Sequence, residues 1–287
     1  ASSVVFIWDV LSCNCVFAAY KHTLHQMRPV FYPPRQKAKL KGALVINADR
    51  FVPQSRPRLF IIAVDRSWAI PEELIQRTQD SPWHTNALIR AYANLPEAVQ
   101  RRWIWWKLPV PDKRVRPLNT LIEKEPTGVD WHSEAETERI LSLMNDVHLN
   151  KVRNAQRTGN LHIGTIYRRT RRENDRSMQR AEVRFDGISG CLRTPAGGSS
   201  RQIVLVVNKD KIRSRLLSPR EAARLMGVDD SYMLPENYNE SYHLMGDAVV
   251  VPVISWLEKH LIRTLVLRQK EMDGQSNGTV EIPDYSL

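Results

Sequence analysis

The stretch VPQSRPRLFIIAV, residues 52–64, constrains the fold more than any other part of the chain. Six apolar residues run without interruption from Leu59 to Val64, and turn-forming residues precede them. A short apolar run bounded in this way predicts a fully buried β-strand. Such a strand needs a sheet around it, or its apolar faces stay exposed. A second short strand is predicted at Ala43, Leu44, Val45 and Ile46. Gln54, Arg56 and Arg58 stand between the two, at the mouth of a core strand. Three polar side chains in that place need a reason.

Composition narrows the partner. The net charge of the 287 residues is +11, with 42% hydrophobic and 25% charged residues. These are the proportions of a soluble globular protein whose basic excess favours a polyanion, most simply nucleic acid. Three cysteines, Cys13, Cys15 and Cys191, are too few for a disulfide framework and fit a reducing compartment. Cys13 and Cys15 have no second pair and no nearby histidine pair, so no metal site is expected. The apolar run 4–19 carries Asp9 and Asn14 and lacks a basic start, which argues against a signal peptide. It is also short for a membrane span. A cytoplasmic, nucleoid-associated protein without a membrane partner is the expectation.

Along the chain, residues 20–42 are basic and proline-rich and read as a linker. Residues 67–160 read as mostly helical with proline breaks. Ser133 and Glu136 form a capping box that predicts a helix over about 134–146. Trp103, Trp105 and Trp106 are expected to pack together in a core or subdomain interface rather than to form a base-stacking platform. Residues 161–207 read as short strands with a flexible loop over 194–202. Arginine is dense there, with Glu173, Asp175 and Glu182 as partial offsets. Next comes a helix with Ser218 as N-cap, Pro219 at the first position, Glu221 closing the box and Gly227 at the C-cap. A glycine turn and a last helix follow, with Val249, Val253, Trp256, Leu257, His260 and Leu261 on one face. The tail from Gln269 is expected to lack structure.

Three of these stretches, taken in order, resemble the DNA cytosine-5 methyltransferases. VPQSRPRLFIIAV resembles their Gln-x-Arg-x-Arg motif, and RLLSPREAARLMGV their Arg-x-Leu-Thr/Ser-x-Arg-Glu helix. GDAVVVPV resembles their closing Gly-Asn-Ala-Val motif, with Asp247 in the place of Asn. The resemblance covers residues 43 to about 265. It implies an α/β fold: an incomplete Rossmann-like catalytic domain with a smaller mixed α+β target-recognition domain. Residues 1–42 stay unassigned and outside the catalytic domain. Residues 43–66 would end that domain, 67–211 would be the recognition domain, 212–268 the return, and 269–287 the tail.

The resemblance also implies roles. Members of the family flip a cytosine out of the duplex and attack C6 with a Cys thiolate. Charge then develops on the ring and its O2, where a fixed guanidinium stabilises it. By position in the motif Arg58 would be that donor, Arg56 a partner of a phosphate or carboxylate, and Gln54 an orienting group. Asp247 and Ala248 would touch S-adenosylmethionine. Arg168, Arg169, Arg171, Arg172, Arg193, Ser199, Ser200 and Arg201 would contact double-stranded DNA. The family's Gly-rich turn, Pro-Cys loop and Glu-Asn-Val segment do not occur, and no cysteine follows a proline. Two readings follow from that. The chain is the second part of a split, truncated or frame-shifted enzyme that needs a complementing N-terminal subunit, or it is a non-catalytic DNA-binding remnant.

Overall fold

The structure is a computed structural model that describes residues 4–9, 14–19, 38–65, 67–112, 116–173, 176–194, 201–209 and 211–274. Its strands are β1 (Val4–Asp9), β2 (Asn14–Ala19), β3 (Ala38–Asn47), β4 (Pro57–Asp65), β5 (Leu161–Glu173), β6 (Arg176–Arg184), β7 (Ile203–Asn208) and β8 (Lys211–Leu216). Its α-helices are α1 (Asn86–Ala93), α2 (Glu97–Gln100), α3 (Glu134–Ser142), α4 (Asp146–Arg157), α5 (Pro219–Leu225), α6 (Tyr238–Asp247), α7 (Val251–Leu257) and α8 (Arg263–Gly274). Two compact units result. One takes in Ala1–Ile46, Arg58–Val110 and Ile254–Leu287, the other Asn47–Pro57 and Pro111–Val253. These limits differ from the expected 67–211. Residues 102–107 join β3 and the segment around Ile75 through backbone hydrogen bonds, while β8 belongs to the second unit's sheet.

In the first unit the sheet order is β2-β1-β4-β3. Strand β1 runs antiparallel to β2, with Val4 opposite Ala19, and antiparallel to β4, with Val5 opposite Val64. Residues 4–9 are therefore part of this sheet rather than separate from it. The antiparallel pairs depart from the expected Rossmann-like order, whose strands are parallel. Only four residues separate β1 from β2, too few for the helical crossover that parallel neighbours need. Residues 38–42, expected in a linker, are the start of β3. Strand β4 is not buried on both faces: Phe60, Ile62 and Val64 are buried, while Leu59, Ile61 and Ala63 are half-buried. The period is that of any strand, two residues.

The same period separates the tryptophans. Lys41 N–H donates to the Arg102 carbonyl and Ile104 N–H to Lys41, while Gln76 N–H donates to Trp105 and Lys107 N–H to Leu74. The segment is thus extended between two neighbours. Ile104, Trp106 and Leu108 point into the core, and Trp103 and Trp105 join Tyr92 and His84 on the other side. Trp106 packs so closely on β3 that a Cβ at Gly42 would lie 2.4 Å from its Nε1.

The imidazole of His84 is buried, and burial holds its pKa below that of an ordinary histidine. The backbone of Trp106 and the carboxylate of Asp80 pull weakly the other way. The unfolded chain therefore takes up this proton first as pH falls. The stability that neutral His84 confers should be complete above about pH 6.5 and decline as pH drops towards its folded-state pKa. Urea midpoints of the wild type and His84→Phe check this. The wild type should lose more stability between about pH 7.5 and 5.5 than the variant does.

The second unit holds an antiparallel sheet of order β6-β5-β7-β8. Helices α3 and α4 cover one face. Ile140, Met144, Val152 and Ala155 pack against Ile166, Ala181, Val183, Ile203, Leu205 and Val207. The capping box at Ser133 and Glu136 is present, but its helix stops at Ser142. Asn145 then caps α4 by accepting from His148 N–H at 3.1 Å, because its side chain competes with a continued helix.

Helix α5 has the predicted cap, with Ser218 and Glu221 closing a box around Pro219. Its end is a Schellman closure: Val228 N–H donates to Ala223 and Gly227 N–H to Arg224, with Gly227 at φ +73°. A Cβ on Gly227 would lie 2.3 Å from Pro252 Cδ. Gly227→Ala should therefore destabilise the protein by about 1–3 kcal/mol, from left-handed strain plus overpacking. A guanidinium-chloride melt checks it, and an unchanged midpoint would refute the close approach.

At the C-terminal end Gly246 is not a turn. It lies inside α6, where a Cβ would meet the Arg193–Thr194 backbone at 2.7 Å. The buried face of the last helices uses Val250, Val253, Trp256, Leu257, Leu261 and Leu265, while Val249 and His260 are only half-buried. A π-turn over Glu258–Ile262 shifts the stripe. Residues 269–274, expected to lack structure, are the end of α8, and the rest of the tail lies outside the described residues.

Candidate functional site

Residues 53–56 run beside residues 189–192. Ser55 N–H donates to the Ser189 carbonyl at 2.9 Å, and Ser189 N–H to Pro53 at 2.8 Å. Gln54 is fully buried between two backbones. Its Nε2 donates to the Leu225 carbonyl at the end of α5 (2.8 Å), and its Oε1 accepts from Leu192 N–H (3.0 Å). Arg56 is 1% exposed. Its Nη1 donates to the Leu192 carbonyl at 2.7 Å, and its Nη2 to the carbonyls of Gly246 (2.7 Å) and Ala248 (2.9 Å). The last two lie at the C-terminal end of α6, where a cation also meets the negative end of the helix dipole. Gln54 and Arg56 are thus braces. They tie the motif to α5, α6 and the 191–192 segment, all within the second unit. Arg58, two residues on, opens β4 in the first unit and is half-buried.

Asp247 and Ala248 sit at the end of α6, both half-buried. The Asp247 carboxylate lies 3.5 Å from His243 Nδ1, one turn earlier. A carboxylate here accepts hydrogen bonds and donates none. Cys191 is half-buried, with its Sγ 3.6 Å from Arg56 Nη1.

The arginines of β5 form a surface with its own counter-ion. Glu182 on β6 pairs with both Arg169 and Arg171 at 2.9 Å. Arg169 and Arg193 each stand 5.1 Å from the Tyr167 ring, one cation–π contact apiece. Arg172 is exposed. Arg201 hydrogen-bonds Asn239 and lies over the Tyr238 ring. Ser199 and Ser200 lie outside the described residues. Arg168 is set apart from the others: it lines a cavity with Arg201, His132, Glu136 and Arg139. Burial lowers its pKa, and the positive charges of Arg139 and Arg201 lower it further. Sequence reasoning missed Arg139 and His132. Their only signal was their place beside the Ser133 capping box.

It also missed Arg215, although Arg215 opens the RLLSPRE stretch. Arg215 and Glu221 are both fully buried and form a bidentate pair, Nη2 to Oε1 at 2.6 Å and Nη1 to Oε2 at 2.8 Å. Glu221 accepts two more bonds, from Ser218 N–H (2.8 Å) and Glu123 N–H (2.7 Å). Arg215 also donates to the carbonyls of Leu216 and Glu123. The conspicuous charged pair of this helix is therefore structural. Among the described residues no cluster of three or more His, Cys, Asp or Glu could hold a metal ion. None of the described helices is long and apolar enough to cross a membrane.

Known proteins can be set against this geometry. The family model described as C-5 cytosine-specific DNA methylase matches residues 41–263. The type II methyltransferase M.HpaII of Haemophilus parainfluenzae is 30% identical over 95 residues, 28% of this chain and 26% of that protein. M.SsoII of Shigella sonnei is 31% identical over 61 residues, 21% of this chain and 16% of that protein. The matched stretches thus span about a quarter or less of these relatives. Among solved structures, the S. pombe Dnmt2 methyltransferase aligns with 79% of this chain and 58% of its own, at 14% identity and a TM-score of 0.38. A Spodoptera frugiperda DNMT2 variant aligns with 77% of this chain and 56% of its own, at 17% identity and the same TM-score. The motifs at 54–58, 215–221 and 246–249 all fall inside the matched range, and the chain belongs to the C-5 cytosine-specific DNA methylase family.

Proposed function

We propose that this chain is the C-terminal part of a DNA cytosine-5 methyltransferase, the part that carries DNA recognition and the Gln-x-Arg-x-Arg arginines. The observation that carries the reading is the division of labour within that motif. Gln54 and Arg56 are held on backbone groups of the second unit, and Arg58 is the half-buried guanidinium at the head of β4. In the proposed reaction a cytosine is flipped from the duplex and a Cys thiolate adds to C6. Arg58 donates to O2, where negative charge develops, and acts through its fixed position. Bound S-adenosylmethionine supplies an electrophilic methyl group. Asp247 can accept from its ammonium or hydroxyl groups, whereas the Ala248 carbonyl is already held by Arg56. None of Cys13, Cys15 and Cys191 follows a proline, so this reading places the nucleophile outside these 287 residues. Work on DNA in the cytoplasm, as in a restriction–modification pair, fits the type II methyltransferases to which the chain is similar.

A non-catalytic DNA-binding remnant is the second reading, favoured by the same cysteine contexts. Labelled S-adenosylmethionine separates the two. The purified chain alone should transfer no methyl to duplex DNA, and a Pro-Cys-containing half encoded beside it should restore transfer. Methylation by the chain alone would refute the assignment of the nucleophile. Failure of every flanking-frame half would leave the remnant. Both readings expect DNA binding that weakens steeply with salt, at roughly −0.9 in the log–log slope per neutralised phosphate. Binding unchanged between about 50 and 200 mM salt would show that the β5 arginines are an ordinary solvated face.

A further inference from the structure

Arg139 on α3, Arg168 on β5 and Arg201 just before β7 converge on one cavity of about 180 Å3. His132 and Glu136 line it too, and apolar side chains such as Ile203 complete it. Three guanidiniums face one carboxylate. That carboxylate is already engaged at the helix cap, accepting from Ser133 N–H at 3.1 Å and from Ser133 Oγ at 3.3 Å. Arg139 has no ion pair among the described residues. The Nε of Arg201 is buried without an acceptor among them, the kind of donor that native structures seldom leave unpaired. His132 is fixed in the wall by Ser214 Oγ, 2.9 Å from its Nδ1. Burial lowers the His132 pKa; the Glu136 carboxylate opposes that shift, while Arg168 and Arg139 add to it. Like charges held together in a half-enclosed space repel one another, and an anion relieves that repulsion with charge-assisted hydrogen bonds.

We propose that this cavity seats one phosphate group, with Arg139, Arg168 and Arg201 as its donors. Its volume admits a tetrahedral oxyanion and a few waters, but not a nucleoside. The source is a phosphodiester of the DNA backbone, an assignment that rests on the DNA-binding reading above. Free phosphate presents the same chemistry, and the test separates the two. Arg139 is the member to change, because its side chain is exposed and its loss leaves the core intact.

The full chain, Arg139→Ala and the control Arg153→Ala, which lies on α4 outside the cavity, are compared in two assays. One is the salt dependence of duplex DNA binding. The other is the NMR shift of the His132 ring on titration with inorganic phosphate. The expected result is a DNA slope reduced by about 0.9 in Arg139→Ala and unchanged in Arg153→Ala. A His132 shift on phosphate that is lost in Arg139→Ala, with the DNA slope untouched, would support the seat and assign it to free phosphate. If the wild type binds DNA and Arg139→Ala matches the control in both assays, the seat is refuted while the DNA-binding reading stands. If phosphate moves His132 but the wild type binds no DNA, the DNA reading fails and the seat survives. No response in either assay overturns both.

Discussion

Glu221→Gln should cost this protein about 3–5 kcal/mol of stability, enough to unfold most of it in mild denaturant. The side chain keeps its size, so packing is not the cause. The change leaves the Arg215 guanidinium buried at 0% exposure without its bidentate counter-charge. An uncompensated buried cation is among the most expensive defects a core can carry. Replacing both partners with apolar residues should recover only part of the loss. Glu221 also accepts the N–H groups of Ser218 and Glu123, and each would remain unpaired at about 1–3 kcal/mol. Glu182→Gln is the surface counterpart. Glu182 pairs with Arg169 and Arg171 on a partly solvated face, and its loss should cost about 1 kcal/mol or less. Equilibrium urea unfolding of the three variants checks the order. A Glu221→Gln protein within 1 kcal/mol of the wild type would show that the pair is not the keystone of α5.

Arg56→Ala and Arg58→Ala, two residues apart, should fail in different ways. Arg56→Ala removes donors from the carbonyls of Leu192, Gly246 and Ala248, and the expected loss is about 3 kcal/mol or more. Lysine should not rescue it, since one ammonium cannot reproduce a planar fork spread over three acceptors. Arg58 is half-buried at the end of a strand, so Arg58→Ala should change stability by about 1 kcal/mol or less. Its effect should fall on the rate. In a preparation complemented with a Pro-Cys-containing half, single-turnover methyl transfer should drop about 100- to 1000-fold, the usual cost of one oxyanion donor. Equal stability losses in the two variants, or a near-normal rate in Arg58→Ala, would overturn the division between brace and donor.

What the sequence determined by itself is what lies within one helical turn or one apolar run. The caps at Ser133 and Ser218 close on residues three positions away, and Gly227 needs only its own backbone to turn left-handed. The strands at β4 and β7 are written in consecutive apolar residues. The three family motifs are readable for the same reason, since each is contiguous. Tertiary structure decided everything that depends on a neighbour distant along the chain. Nothing within 52–64 says that Arg56 will find its acceptors 136, 190 and 192 residues later. Nothing in the tryptophan run shows that Ile75 and Lys41 will draw it straight and send its rings to opposite sides. The antiparallel place of β1 beside β4, and the meeting of Arg139 with Arg168 and Arg201, have the same origin. A local hydrogen bond is specified by the few dihedral angles between its partners. A distant one forms only when loop closure has been offset by packing of the whole core, so its partner is a property of the fold and not of the segment.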